Sequence, residues 1–174
     1  ILLCFAAMAF AQKRVTDIGL EVQVYPTGII PGARFEKSFT KRDLVTARLG
    51  YQIIDHRDLG EHDDETGSGF GGSVGYKHYF NRFFNGPSIG VRSDFWSNKI
   101  DWESKTDTGT RTGTSEILVV QPTAEIGWGF LLGENMVLTP ALAFGFEINV
   151  KTDGEETGEG AILLAGITAA YRFQ

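Results

Sequence analysis

Apolar and polar residues alternate one by one along most of this chain, and its last stretch shows the pattern most fully. Over residues 161–173, Ala161, Leu163, Ala165, Ile167, Ala169, Tyr171 and Phe173 form one row. Ile162, Leu164, Gly166, Thr168, Ala170 and Arg172 form the other. A period of two is the period of a β-strand, whose side chains point to opposite faces in turn. The segment is long for a soluble strand and ends in two aromatics. A membrane-spanning strand needs about 9–11 residues, an apolar outer row and aromatics at the interface.

Seven more segments alternate in the same way, at about 17–25, 30–39, 43–55, 68–80, from 87, 115–131 and 136–151. The connections at 56–67, 105–113 and 152–160 are long, whereas those at 40–42, 81–86 and 133–135 are short. Pro26, Thr27 and Gly28 form a short exception on the long side. Pro122 forbids one ladder bond and predicts a local irregularity in the sixth segment. In the fifth segment Trp96, Ile100 and Trp102 fall on the otherwise polar row. Two readings of that swap stay open: a bulge that shifts parity, or a strand already projecting beyond a bilayer. The pattern predicts an all-β fold: an eight-stranded antiparallel up-and-down transmembrane β-barrel, with both termini at the periplasmic rim.

Alternation alone does not say which row faces inward, because a soluble lipocalin-like barrel alternates too, with an apolar interior. Charge decides. The polar rows carry Arg34, Arg48, Lys77, Arg92 and Arg172 against Glu21, Glu36, Asp94, Glu125 and Glu147. Five cations balance five carboxylates among small residues, which suits a narrow, charge-paired lumen. The opposite rows carry Phe35, Phe39, Phe70, Phe95, Trp128, Phe130, Phe144, Phe146 and Phe173, more volume than an eight-stranded interior holds. The aromatics therefore face lipid, and the charge-filled lumen leaves no open pore. Arg172 is expected to find Glu21 or Glu147 as its partner.

The chain has 174 residues, enough for one domain. Its apolar start ends in Ala9, Phe10 and Ala11, a signal-peptide cleavage pattern. This predicts a signal-peptide remnant at 1–11 and a barrel domain at 12–174. Leu3 before Cys4 is not the small residue of a lipobox, and cleavage leaves no cysteine. No run of about 18 apolar residues is present to form a membrane helix. Net charge is −6, and no basic run points to nucleic acid.

Candidate chemistry is sparse. His56 and His62 flank Asp58, Glu61, Asp63, Asp64 and Glu65, but the spacing matches no metal motif. The stretch reads as a solvated acidic loop, as does 153–159, with at most weak affinity for divalent ions bridging lipopolysaccharide. His78 reads as a residue of the periplasmic interface. No histidine follows it, so a C-terminal-half His–Ser pair, as in lipid A deacylases, is missing. No catalytic set, metal site or cofactor is read from the chain.

The alternating segments, the loop asymmetry, the signal-peptide pattern and the closing Tyr171, Arg172 and Phe173 resemble the eight-stranded outer-membrane β-barrel superfamily, the OmpA-transmembrane/OmpX-like group. The resemblance covers residues 12–174. The stretch at 75–80 is similar to ones in Bacteroidetes-type barrels. In the superfamily an aromatic end of the last strand resembles the signal read by the barrel-assembly machinery; here Gln174 follows the aromatic. The resemblance implies a bacterial outer-membrane location, with lipid and lipopolysaccharide as surroundings. It implies no single function. The leading expectation is a non-enzymatic barrel with surface loops for interaction or envelope integrity. The alternatives are an accessory subunit docking a protein partner in an envelope complex, a lipid A-modifying enzyme, and a soluble lipocalin-like carrier.

Overall fold

The computed structural model describes residues 14–57, 61–81 and 84–173. The signal-peptide pattern, Cys4, Asp58 and Gln174 lie outside these residues. The strands are β1 (Thr16–Tyr25), β2 (Gly28–Ser38), β3 (Asp43–Arg57), β4 (Asp64–Tyr79), β5 (Gly86–Thr106), β6 (Gly109–Leu132), β7 (Met136–Asp153) and β8 (Gly160–Phe173). Each pairs antiparallel with its neighbours in sequence, and β8 returns to β1, closing the ring. Closure leaves no unpaired edge around the body, the condition for β-structure in hydrocarbon. Thr16 lies opposite Phe173, so the first and last strands meet at one rim, here called the turn rim. The other is the hairpin rim.

The two rows of each strand separate cleanly. Leu20, Leu49 and Phe70 stand outward, 73%, 74% and 73% exposed, while Arg48 and Asp94 on the opposite rows are 4% and 0% exposed. A soluble protein buries the first kind and exposes the second. The inversion runs right round the ring, with Val91, Ile126, Leu142, Phe144 and Ile167 also outside. Such an apolar outer band is the solvent boundary of a membrane barrel.

Two expectations are corrected. The connection expected at 105–113 is not a long loop: β5 and β6 stay paired to Thr106↔Gly109, leaving two residues to turn. At 21 and 24 residues, these strands are about twice the length a membrane span needs. Asymmetry between the rims is therefore carried mainly by strand length, because alternating Thr and Gly pair in a ladder as readily as they form coil.

Of the two readings of the parity swap at Trp96, the bulge is overturned. The registers of β5 against β4 and β6 run unbroken, so it carries no bulge. Trp96, Ile100 and Trp102 are instead buried at 2%, 4% and 7%. They stay on the inward row. The lumen is charged in its turn-rim half and apolar above, so a polar row does not mark the interior along its whole length. Small residues make room for the indole: a Cβ on Gly71 would lie 2.2 Å from the Trp96 ring.

The register shift falls instead between Leu118 and Val119 of β6, where Lys151 and Asn149 are the partners and Val150 of β7 is the extra residue. At Pro122 the ladder thins, resuming at Thr123↔Gly145 in the same register as Val120↔Ile148.

Gly71→Leu should displace the Trp96 ring from the lumen. Overpacking of this kind costs about 1–3 kcal/mol, and it should show as a lower urea midpoint with altered tryptophan emission; an unchanged midpoint would place the indole elsewhere.

Candidate functional site

Antiparallel pairing at a fixed register stacks the inward residues of neighbouring strands into layers. In the central layer Arg34 reaches Glu21 at 2.7 Å, Glu36 at 2.9 Å and Glu125 at 3.0 Å. Arg48 reaches Glu21 at 2.9 Å and Asp94 at 2.7 Å. Arg92 bridges Asp94 at 3.0 Å and Glu125 at 2.8 Å. Lys77 bridges Glu36 at 2.8 Å and Glu125 at 3.3 Å. Gln23 accepts from Arg48 and Arg92, and Thr168 donates to Glu21. No group in this layer is more than 7% exposed. Charges removed from water are tolerable when each is paired and hydrogen-bonded. Sharing every carboxylate between at least two cations meets that condition across strands distant in sequence.

Arg172 does not pair with Glu21 or Glu147. Its Nε and Nη2 donate to Asp17 at 2.9 and 2.6 Å. The β8–β1 register sets Asp17 directly opposite Arg172, whereas Glu21 lies opposite Thr168. Asp17, missed as a lumen residue, has the inward parity of Glu21 and could have been found by extending that row. Phe84 closes the lumen beneath this pair. It takes a left-handed φ of 54°, costly for a residue with a side chain. Its ring is buried against Tyr79 and lies 5.8 Å from the Arg172 guanidinium carbon.

Glu147 is thus the one predicted lumen carboxylate outside the network. It accepts from Gln121 at 2.8 Å, and Gln121 also accepts from the Trp96 indole at 3.4 Å. Its charged neighbours are Glu159 and Glu65. Glu147 therefore belongs to the mouth at the hairpin rim, above the apolar layer. There His56 Nε2 stands 3.1 Å from Glu65, both buried. His62 stacks on Trp102 with ring centroids 4.3 Å apart. Its Nε2 donates to the Glu156 carbonyl at 3.1 Å, and for the neutral ring its Nδ1 accepts from Ser104 at 2.8 Å. The expectation of a wholly solvated acidic loop is corrected: His56, His62 and Glu65 are built into the mouth, because β3 and β4 stay paired to Arg57↔Asp64. Among the described residues no three ligating side chains gather as a metal site.

Outside, at the turn rim, Asp43 accepts from Thr40, from Tyr76 at 2.6 Å and from His78 at 2.6 Å. Tyr171 and Phe173 point outward from the end of β8, with rings 4.8 Å apart.

The ring of eight strands, the apolar outside and the charged inside define the fold of an eight-stranded outer-membrane β-barrel. Solved structures of that class superpose on the chain. The N-terminal β-barrel domain of Pseudomonas aeruginosa OprF does so with a TM-score of 0.50 at 14% identity, over 93% of this chain and 98% of that one. Ail, the attachment invasion locus protein of Yersinia pestis, gives a TM-score of 0.55 at 10% identity when complexed with the heparin analogue sucrose octasulfate, over 92% of this chain and 97% of that one. Ail alone gives 0.52 at 9% identity, over 93% and 99%. At such identities the likeness is one of fold. No protein-family model and no curated protein sequence matches the chain.

Replacing Glu125 by Ala leaves Arg34, Lys77 and Arg92 short of a shared carboxylate. The expected loss is about 3–5 kcal/mol, read from urea unfolding of the detergent-folded barrel. Glu116→Ala, on the same strand and 68% exposed at its side chain, should change stability by less than about 0.5 kcal/mol.

Proposed function

We propose that this protein is a non-enzymatic integral outer-membrane β-barrel whose closed body carries a raised, acidic rim at the cell surface, for surface interaction or envelope integrity. The inversion of apolar and charged residues across the wall carries this reading: it suits the chain to lipid or detergent rather than to water. The turn rim, with both chain ends, faces the periplasm, and the hairpin rim faces outward. Residues 1–11 are the export signal and 12–174 the barrel domain. Tyr171 and Phe173 form the strand end that the barrel-assembly machinery reads, and their outward exposure supports that role. Lipid and lipopolysaccharide surround the outer band.

Nine of the ten predicted lumen charges, all but Glu147, serve anchorage with Asp17 rather than conduction. The ion-paired layer, Trp96 above it and Phe84 beneath it obstruct the lumen. The fold-level likeness to Ail brings no ligand with it. That structure holds a sulfated heparin analogue, whereas the hairpin rim here is rich in acid, with Asp63, Asp101, Glu103, Glu155 and Glu156. A polyanion is disfavoured at such a rim.

A second reading, a hydrolase acting on outer-leaflet lipid, rests on Ser104 and His62, whose neutral tautomer presents a base to the hydroxyl. Lipid A that is identical by mass with and without the protein removes this reading; a change that Ser104→Ala abolishes supports it.

The purified protein should require detergent, migrate differently on gels before and after heating, and give no steady conductance in planar bilayers. Solubility without detergent would overturn the membrane assignment, and a stable open-channel current would overturn the closed lumen.

A further inference from the structure

Once Arg172 is paired with Asp17, the turn-rim half of the lumen is balanced without Glu147. Five cations (Arg34, Arg48, Lys77, Arg92 and Arg172) meet five carboxylates (Asp17, Glu21, Glu36, Asp94 and Glu125). Glu147 is left over. It lines a cavity of about 230 Å³ in the mouth, together with Glu65, Glu159, His56 and Tyr25, over a floor that includes Ile54 and Ile100. Three carboxylates and one histidine ring are the ionisable groups of opposite type there, and Glu147 makes no ion pair among the described residues.

Two further atoms point to an occupant. His56 Nδ1 and Glu65 Oε1 are buried without a hydrogen-bond partner, on residues 8% and 3% exposed. Burying unsatisfied polar groups is costly. An excess of carboxylates in a half-enclosed site, with an acceptor atom idle, is compensated by a bound cation that donates hydrogen bonds.

We infer that the mouth of the barrel is a binding site for a small organic cation, a protonated amine with a short apolar stem. The ammonium would donate to Glu147 and Glu65, with Tyr25 beside it, and the stem would lie on the isoleucine floor. The volume is below the roughly 300–1,000 Å³ of sites for drug-sized molecules, so the ligand is small. A bare divalent ion fits less well: calcium takes six to eight oxygens, and the apolar floor supplies none. The lid is the β7–β8 connection, where Thr157 is buried and Glu159 accepts from the Asn149 backbone amide at 2.9 Å.

The test is a titration of the full-length, detergent-folded barrel with n-butylammonium, followed by calorimetry, with n-butanol and calcium as comparators. Folding is verified separately by the heat-dependent gel shift, so a failed membrane assignment and a failed site are told apart. Saturable binding of butylammonium, with none for butanol, supports the site. Glu147→Gln and Glu65→Gln should each weaken it about tenfold or more. If Glu147→Gln does not fold, Glu159→Gln, on the exposed connection, reads the same loss of charge. The inference is overturned by an absence of saturable binding, by equal binding of butanol, by affinity unchanged in the variants, or by calcium binding where butylammonium does not.

Discussion

Everything in this barrel depends on ten charges buried in its lumen remaining paired. The paired set is Asp17, Glu21, Glu36, Asp94 and Glu125 with Arg34, Arg48, Lys77, Arg92 and Arg172. They are contributed by seven strands, β1 to β6 and β8, so they pair only when the ring is closed and every register is right. A slip of one residue would turn a strand's cations into lipid and its aromatics into the lumen. The network is thus a specification of register as much as a source of stability. Its removal one member at a time is costly because each lost carboxylate strands a cation out of water.

Around that layer the interior is graded. Beneath it, Arg172, Asp17 and Phe84 close the turn rim. Above it, Trp96 lies with the Arg48 guanidinium carbon 5.3 Å from its ring, and an apolar belt including Ile30, Ile117 and Leu164 follows. Higher still, the interior becomes polar again at Glu65 and Glu147. This order, charge then hydrocarbon then acid, separates the balanced layer from the unbalanced mouth. The first holds the barrel together; the second has charge left over for a ligand.

Much of this was legible in the sequence because a strand's period of two is strict. Outward rows such as Leu163, Ile167, Tyr171 and Phe173, and inward ones such as Thr168 and Arg172, follow from parity once the lumen is recognised by its charges. What escaped was whatever depends on the relation between strands. Asp17 as the partner of Arg172 is a consequence of the β8–β1 register, which no single strand encodes. The inward Trp96 was obscured because the lumen changes character along its length, and a row read as polar at Arg92 and Asp94 turns apolar at Trp96, two residues on. The long β5–β6 hairpin was hidden by its Thr- and Gly-rich sequence, which reads equally as coil. His56 and Glu65 looked solvated because nothing local shows that β3 and β4 keep pairing past the membrane band.

The central claim is that charged rows face inward and apolar rows face lipid, and the three tryptophans report on it directly. Trp128 stands on the outer row, 48% exposed, whereas Trp96 and Trp102 are buried in the lumen. The decisive measurement is the quenching of single-tryptophan variants reconstituted in brominated phospholipid. Strong quenching of Trp128, with Trp96 and Trp102 protected, is the result this account predicts; quenching of Trp96 with Trp128 protected would contradict it.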